Sequence, residues 1–81
     1  MQSGQSIHFE RRDPARNMKR FYRLTVQQDL FGTALIVREW GRIGLSSRQQ
    51  TQEAPDLAVA TRHALRLAGE KQRRGYRPLA R

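Results

Sequence analysis

Cysteine is absent, which excludes a disulfide framework, a thiolate zinc site and a cysteine nucleophile, so any core must hold without covalent or metal staples. Histidine is scarce: His8 and His63 stand too far apart in sequence to make a local metal motif, and no carboxylate cluster supplies the other ligands. Ser46 and Ser47 lie near Arg48 without a visible base, and no glycine-rich loop follows a strand and opens a helix. Neither catalysis nor a cofactor is therefore expected. No stretch approaches the roughly 18 apolar residues of a membrane span, and Met1 is followed by Gln-Ser-Gly-Gln rather than a basic and apolar leader. The expectation is a soluble cytoplasmic protein, nucleoid-associated if bacterial, with no membrane partner.

Acidic residues are also few, seven against sixteen basic, for a formal charge of +9 in 81 residues. A chain of this length supports one small domain. Residues 1–23 carry six basic and two acidic side chains, residues 24–61 three and four, and residues 62–81 seven and one, so the excess lies at the two ends of the chain. Clustered cations raise the local potential and release counterions from nucleic-acid phosphates, so the asymmetry favours a polyanion; a solvated basic surface is the alternative. Fourteen of the sixteen are arginine, whose planar fork can grip a phosphate bidentately, though genome composition also influences Arg usage.

Ile7 to Arg11 alternates apolar and polar residues, predicting a short strand that ends at Asp13-Pro14. Phe21 to Gln27 predicts a second strand, Asp29-Leu30-Phe31-Gly32 a turn, and Thr33 to Trp40 the paired strand of a hairpin. Gly41 and Gly44 bracket a tight turn, followed by the almost wholly polar Ser47 to Gln52, which suits an edge strand. From Pro55 or Asp56 the period changes: Leu57, Ala60, Ala64, Leu67 and Ala68 form the apolar stripe of a helix of about five turns, with Gly75 as its C-terminal cap. The fold class is α+β, a small antiparallel sheet of about four strands packed against one C-terminal helix. The domain is expected over residues 6–77, with flexible termini at 1–5 and 78–81.

Alternation leaves the core face of the third strand undecided, because Leu35 and Val37 share one phase while Ala34, Ile36, Arg38 and Trp40 share the other. With Tyr22, Leu24, Val26, Leu35 and Val37 under the helix, Arg23, Arg38 and Trp40 share an open face. There an indole can stack on a base or sugar while guanidinium groups hold phosphates. The alternative is a core tryptophan, since large aromatics are usually mostly buried. Arg73 and Arg74 reach phosphates from the helix end or simply complement its dipole. Phe9, Phe21, Tyr22 and Phe31 are core or turn candidates, and Tyr76 a plug at the helix end.

Arg20-Phe21-Tyr22, then Val37-Arg38-Glu39-Trp40-Gly41-Arg42-Ile43-Gly44, then Lys71 and Arg74-Gly75-Tyr76 resemble the WGR domain, named for its Trp-Gly-Arg triplet, over residues 7 to 77. The chain is similar to the free-standing bacterial form. The resemblance implies an antiparallel sheet with one packed helix. In poly(ADP-ribose) polymerases such domains bind DNA at breaks, which implies here that Trp40 stacks on the sugar of a terminal nucleotide near a 5′ phosphate. Arg42 then contacts backbone or a neighbouring domain, and Gly41 permits close approach. These 81 residues hold no catalytic, regulatory or zinc-finger segment, so ADP-ribosyl transfer and allosteric relay are not expected to carry over. The expected site is Trp40, Gly41, Arg42, Arg38, Arg23, Arg73 and Arg74, and the expected partner DNA ends or nicks. RNA is a second polyanion, and an acidic protein engaging Trp40 and the arginines as a hot spot is the competing reading.

Overall fold

The computed structural model describes residues 4–79. Along the chain run β1 (Gly4–Asp13), a 3-10 turn (Pro14–Arg16), β2 (Met18–Gln28), β3 (Ala34–Arg42), β4 (Ser47–Ala54), α1 (Leu57–Arg73) and β5 (Arg77–Pro78). The strands form one five-stranded sheet in the order β4-β3-β2-β1-β5, with antiparallel neighbours, and α1 packs on one face. The fold is thus α+β, a small antiparallel sheet against a single C-terminal helix, as expected, with a fifth strand of two residues. β1 begins inside the segment expected to be loose, and β5 extends into the expected C-terminal tail. The expectation for residues 1–3 and 80–81 lies outside the described residues.

Local chemistry accounts for the turns. The Asp29 carboxylate accepts hydrogen bonds from the Phe31 and Thr33 amides, both at 2.9 Å, and Gly32 supplies the left-handed residue at φ +83°. Asp56 caps α1 by accepting from the Val59 amide at 2.9 Å, a contact worth about 1 kcal/mol. Gly75 takes φ +95° after the helix, and its amide donates to the Gln72 carbonyl at 3.0 Å.

The core lies between α1 and the sheet. Phe9, Tyr22, Leu24, Ala34 and Ile36 rise from the strands to meet Ala60, Ala64, Leu67 and Ala68 of the helix. Three of those four helical residues are alanine, which lets the helix lie close; the volume comes from the sheet, where each large side chain contributes about 1.5–3 kcal/mol on burial. Ile7, Val26, Trp40, Leu57 and Tyr76 pack around this nucleus.

The register corrects the expected faces. Tyr22 is opposite Trp40, Leu24 opposite Arg38 and Val26 opposite Ile36, and cross-strand partners project to the same side of a sheet. The helix-bearing face of β3 is therefore Ala34, Ile36, Arg38 and Trp40. Leu35 and Val37 belong to the bare face. Arg23 is opposite Glu39 on that bare face, so it does not share a surface with Arg38 and Trp40. The physical reason is room: Ala34, fully buried, fits beneath the helix start where a bulkier Leu35 would hold the helix away.

Candidate nucleic-acid interface

The helix crosses only part of its face of the sheet, leaving the far end open. Rows of cross-strand neighbours describe that end. Phe9, Tyr22, Trp40 and Arg48 form one row across four strands; the next outward row is Arg11, Arg20 and Arg42. Arg20 thus has an arginine directly opposite it on each side, an arrangement that destabilises a sheet. Arg38, one row inward, donates a hydrogen bond to Gln50.

The helix end completes the surface. Lys71 continues the phase of Ala64 and Leu67, and at the end of the core stripe it places its ammonium 4.5 Å from the Tyr22 ring centre and 5.5 Å from that of Tyr76. Tyr76 meets Tyr22 edge to face at 6.2 Å. Arg38 stands 6.0 Å from the Trp40 ring centre. Between Arg20, Trp40, Gly41, Arg42 and Tyr76 lies an open cleft of about 310 Å³.

Charge is sorted by face. The strand glutamates Glu10, Glu39 and Glu53 alternate out of phase with the core and lie on the bare side. There Glu10 pairs with Arg12 at 3.0 Å and Glu39 with Arg23 at 3.1 Å. Among the described residues Arg11, Arg20, Arg38, Arg42, Arg48, Lys71 and Arg74 make no ion pair within 4.0 Å. Burial lowers the pKa of Lys71, helped by the positive charges of Arg74 and Arg38. Burial also raises the pKa of the Tyr22 phenol. Arg38 opposes that shift through its charge, but the phenol hydroxyl has no well-aligned hydrogen-bond partner among the described residues.

The expected site residues therefore separate. Trp40, Arg38 and Arg42 share the open end, and Arg74 is close enough to act on Lys71. Arg23 is on the bare face, neutralised by Glu39. Arg73 follows Lys71 by two residues, half a turn away on the helix, beside Gly69. Gly41 has an internal reason to be glycine: a Cβ there would lie 2.9 Å from the Ser46 carbonyl oxygen and 3.1 Å from the Ser47 Cα. Trp40 is half-buried, with one part packed on the core and another lining the cleft.

Arg20, Arg11, Arg48 and Lys71 were missed by sequence reasoning. For Arg20 the signal was its phase with Tyr22; for Lys71 it was the continuation of the helical stripe. Arg11 and Arg48 become visible only through register, since the pairing partner lies outside their own segment.

Residues 5–81 match the WGR domain family. An uncharacterized protein, y4dW, of Sinorhizobium fredii (strain NBRC 101917 / NGR234) is 39% identical over 72 residues, which cover 89% of this chain and 35% of the relative. The chain thus spans about a third of that relative's length. The match encloses both the Trp40-Gly41-Arg42 triplet and the helix end that closes over it, and the chain belongs to the WGR domain family.

Proposed function

We propose that this domain is a non-catalytic module that binds DNA at duplex ends or strand breaks, through the open end of its helix-bearing face. The family serves as a nucleic-acid-binding module in poly(ADP-ribose) polymerase-like proteins. The observation that carries the reading for this chain is the row Arg11, Arg20 and Arg42, three like charges on neighbouring strands that make no ion pair within 4.0 Å among the described residues. Such a row disfavours the free fold and favours a bound polyanion.

In this reading Arg20, Arg42 and Arg48 hold backbone phosphates, with Arg38 and Arg74 flanking. The exposed part of Trp40 stacks on a terminal sugar or base, a contact that an internal, fully stacked duplex does not offer. No helix presents a set of Asn, Gln and Arg to read base edges, so little sequence preference is expected.

Anisotropy titrations of nicked, 5′-phosphorylated blunt and closed hairpin-ended duplexes at several salt concentrations test this. Four phosphate contacts give a log-log salt slope of about −3.6, with tighter binding to the nick and open end than to the closed duplex. Salt-sensitive binding that ignores ends removes the break preference; a single-stranded RNA competitor that displaces every duplex shifts the assignment to RNA; and absence of binding leaves a protein partner.

A further inference from the structure

The molecule is electrically two-ended, and its second end carries an exposed apolar feature. Residues 24–37 and 49–61 contain no lysine or arginine but hold Asp29, Glu53 and Asp56. Register and helix direction gather these segments at the β2–β3 turn, away from the arginine row. At the tip Leu30 is 97% exposed and Phe31 91% exposed.

Scattered exposed leucines such as Leu45 and Leu65 are ordinary on a small protein. The tip differs in being two large apolar residues side by side on a rigid turn. Asp29 holds the Phe31 and Thr33 amides, the Asp29 and Gly32 amides donate to the Thr33 and Asp29 carbonyls, and the Gln28 side-chain Nε2 donates to the Gly32 carbonyl. None of these bonds uses the side chain of Leu30 or Phe31, so the turn would close equally well around polar residues. A preorganised apolar display loses little entropy when it docks.

We infer that this tip docks into the Arg20, Trp40, Arg42 and Tyr76 cleft of a second copy of the chain, giving a head-to-tail association. The cleft offers aromatic surface to Leu30 and Phe31, and its arginines face the carboxylates that flank the tip. Tip-to-tip pairing would instead bring Asp29, Glu53 and Asp56 against their own copies. The contact cannot form within one chain, because the six strand steps from Ala34 to Trp40 already separate turn and cleft by about 20 Å. The overall charge of +9 opposes association less than it suggests, since charges beyond about 8 Å are screened at physiological salt. Two apolar side chains make a contact below the roughly 1,200 Å² of stable complexes, so it is weak and concentration-dependent. A heterologous contact of this kind does not close on itself and builds chains rather than a sealed dimer.

Sedimentation velocity on the nucleic-acid-free protein, from about 10 μM to about 1 mM at roughly 0.15 M salt, where the long-range repulsion is screened, tests the inference over the range where weak contacts populate. Wild type is expected to show an average sedimentation coefficient that rises with concentration. A tip variant, Leu30→Ser with Phe31→Ser, and a cleft variant, Arg20→Glu with Arg42→Glu, are each expected to stay monomeric; all four residues are exposed, and circular dichroism checks that both variants fold. Mixed together, the two variants retain one intact tip and one intact cleft, and are expected to form a 1:1 pair that grows no further. Monomeric wild type across the range overturns the inference. So does a cleft variant that associates as wild type does, which indicates tip-to-tip pairing, or a mixture that stays monomeric.

Discussion

Replacing Arg20 by glutamine is expected to stabilise the fold and weaken nucleic-acid binding together. Arg20 sits between Arg11 and Arg42 on adjacent strands. At a cross-strand separation of about 6 Å, each like-charge contact costs about 0.7 kcal/mol in water and roughly half that at about 0.15 M ionic strength. Removing the central charge relieves both contacts, a gain of about 0.7 kcal/mol, which for a domain of this size raises Tm by about 4 °C. The same substitution removes one phosphate contact, so the log-log salt slope becomes shallower by about 0.9 and affinity falls about fivefold near 0.15 M salt and about fifteenfold near 0.05 M. Thermal melts at low and high salt, paired with anisotropy titrations of one nicked duplex, measure both quantities. A structural arginine would lower Tm on removal, and a solvated one would leave the salt slope unchanged; either result refutes the assignment of this row.

Trp40→Phe is expected to keep the fold, since the core contact is largely retained, while weakening binding to a nicked or open end more than to a closed duplex; Trp40→Ala additionally destabilises by about 2 kcal/mol, visible in urea titrations. Gly41→Ala should lower stability by about 1–3 kcal/mol, because its Cβ would press on the Ser46 carbonyl and the Ser47 backbone; an unchanged melting curve would return Gly41 to a ligand-approach role. Tyr22 is 2% exposed and its phenol pKa is raised by burial, so its contribution is fully present below pH 10 and is lost as pH climbs through the raised value. Tyr22→Phe should therefore shift alkaline unfolding, followed by circular dichroism, to higher pH.

The elements were legible because each has its own local signature. The Asp29 turn, the Asp56 cap, the alanine-rich stripe and the glycine after the helix are short-range signals, and each lies where its residues predict. The face of β3 was not legible, because it carries apolar residues in both phases and only pairing with β2 decides between them. The site inherited that ambiguity: Trp40 and Arg42 were recognisable from their motif, whereas Arg23 was placed on the wrong surface. Arg73 and Arg74 are adjacent in sequence and similar in chemistry, yet the helical angle between them assigns only Arg74 to the environment of Lys71.

The order of the sheet has a kinetic consequence. β1 through β4 form a meander in which every strand pairs with its neighbour in sequence, so most of the sheet can zip through short loops and needs little long-range search. β5 is the exception: its two residues close against Phe9 and Glu10 from the far end of the chain, with one further bond from the Leu79 amide to the His8 carbonyl at 2.8 Å. That closure is expected to form last and open first. In hydrogen exchange the Leu79 amide should then exchange by local fraying, while the amides linking β2 and β3 wait for the whole domain to unfold.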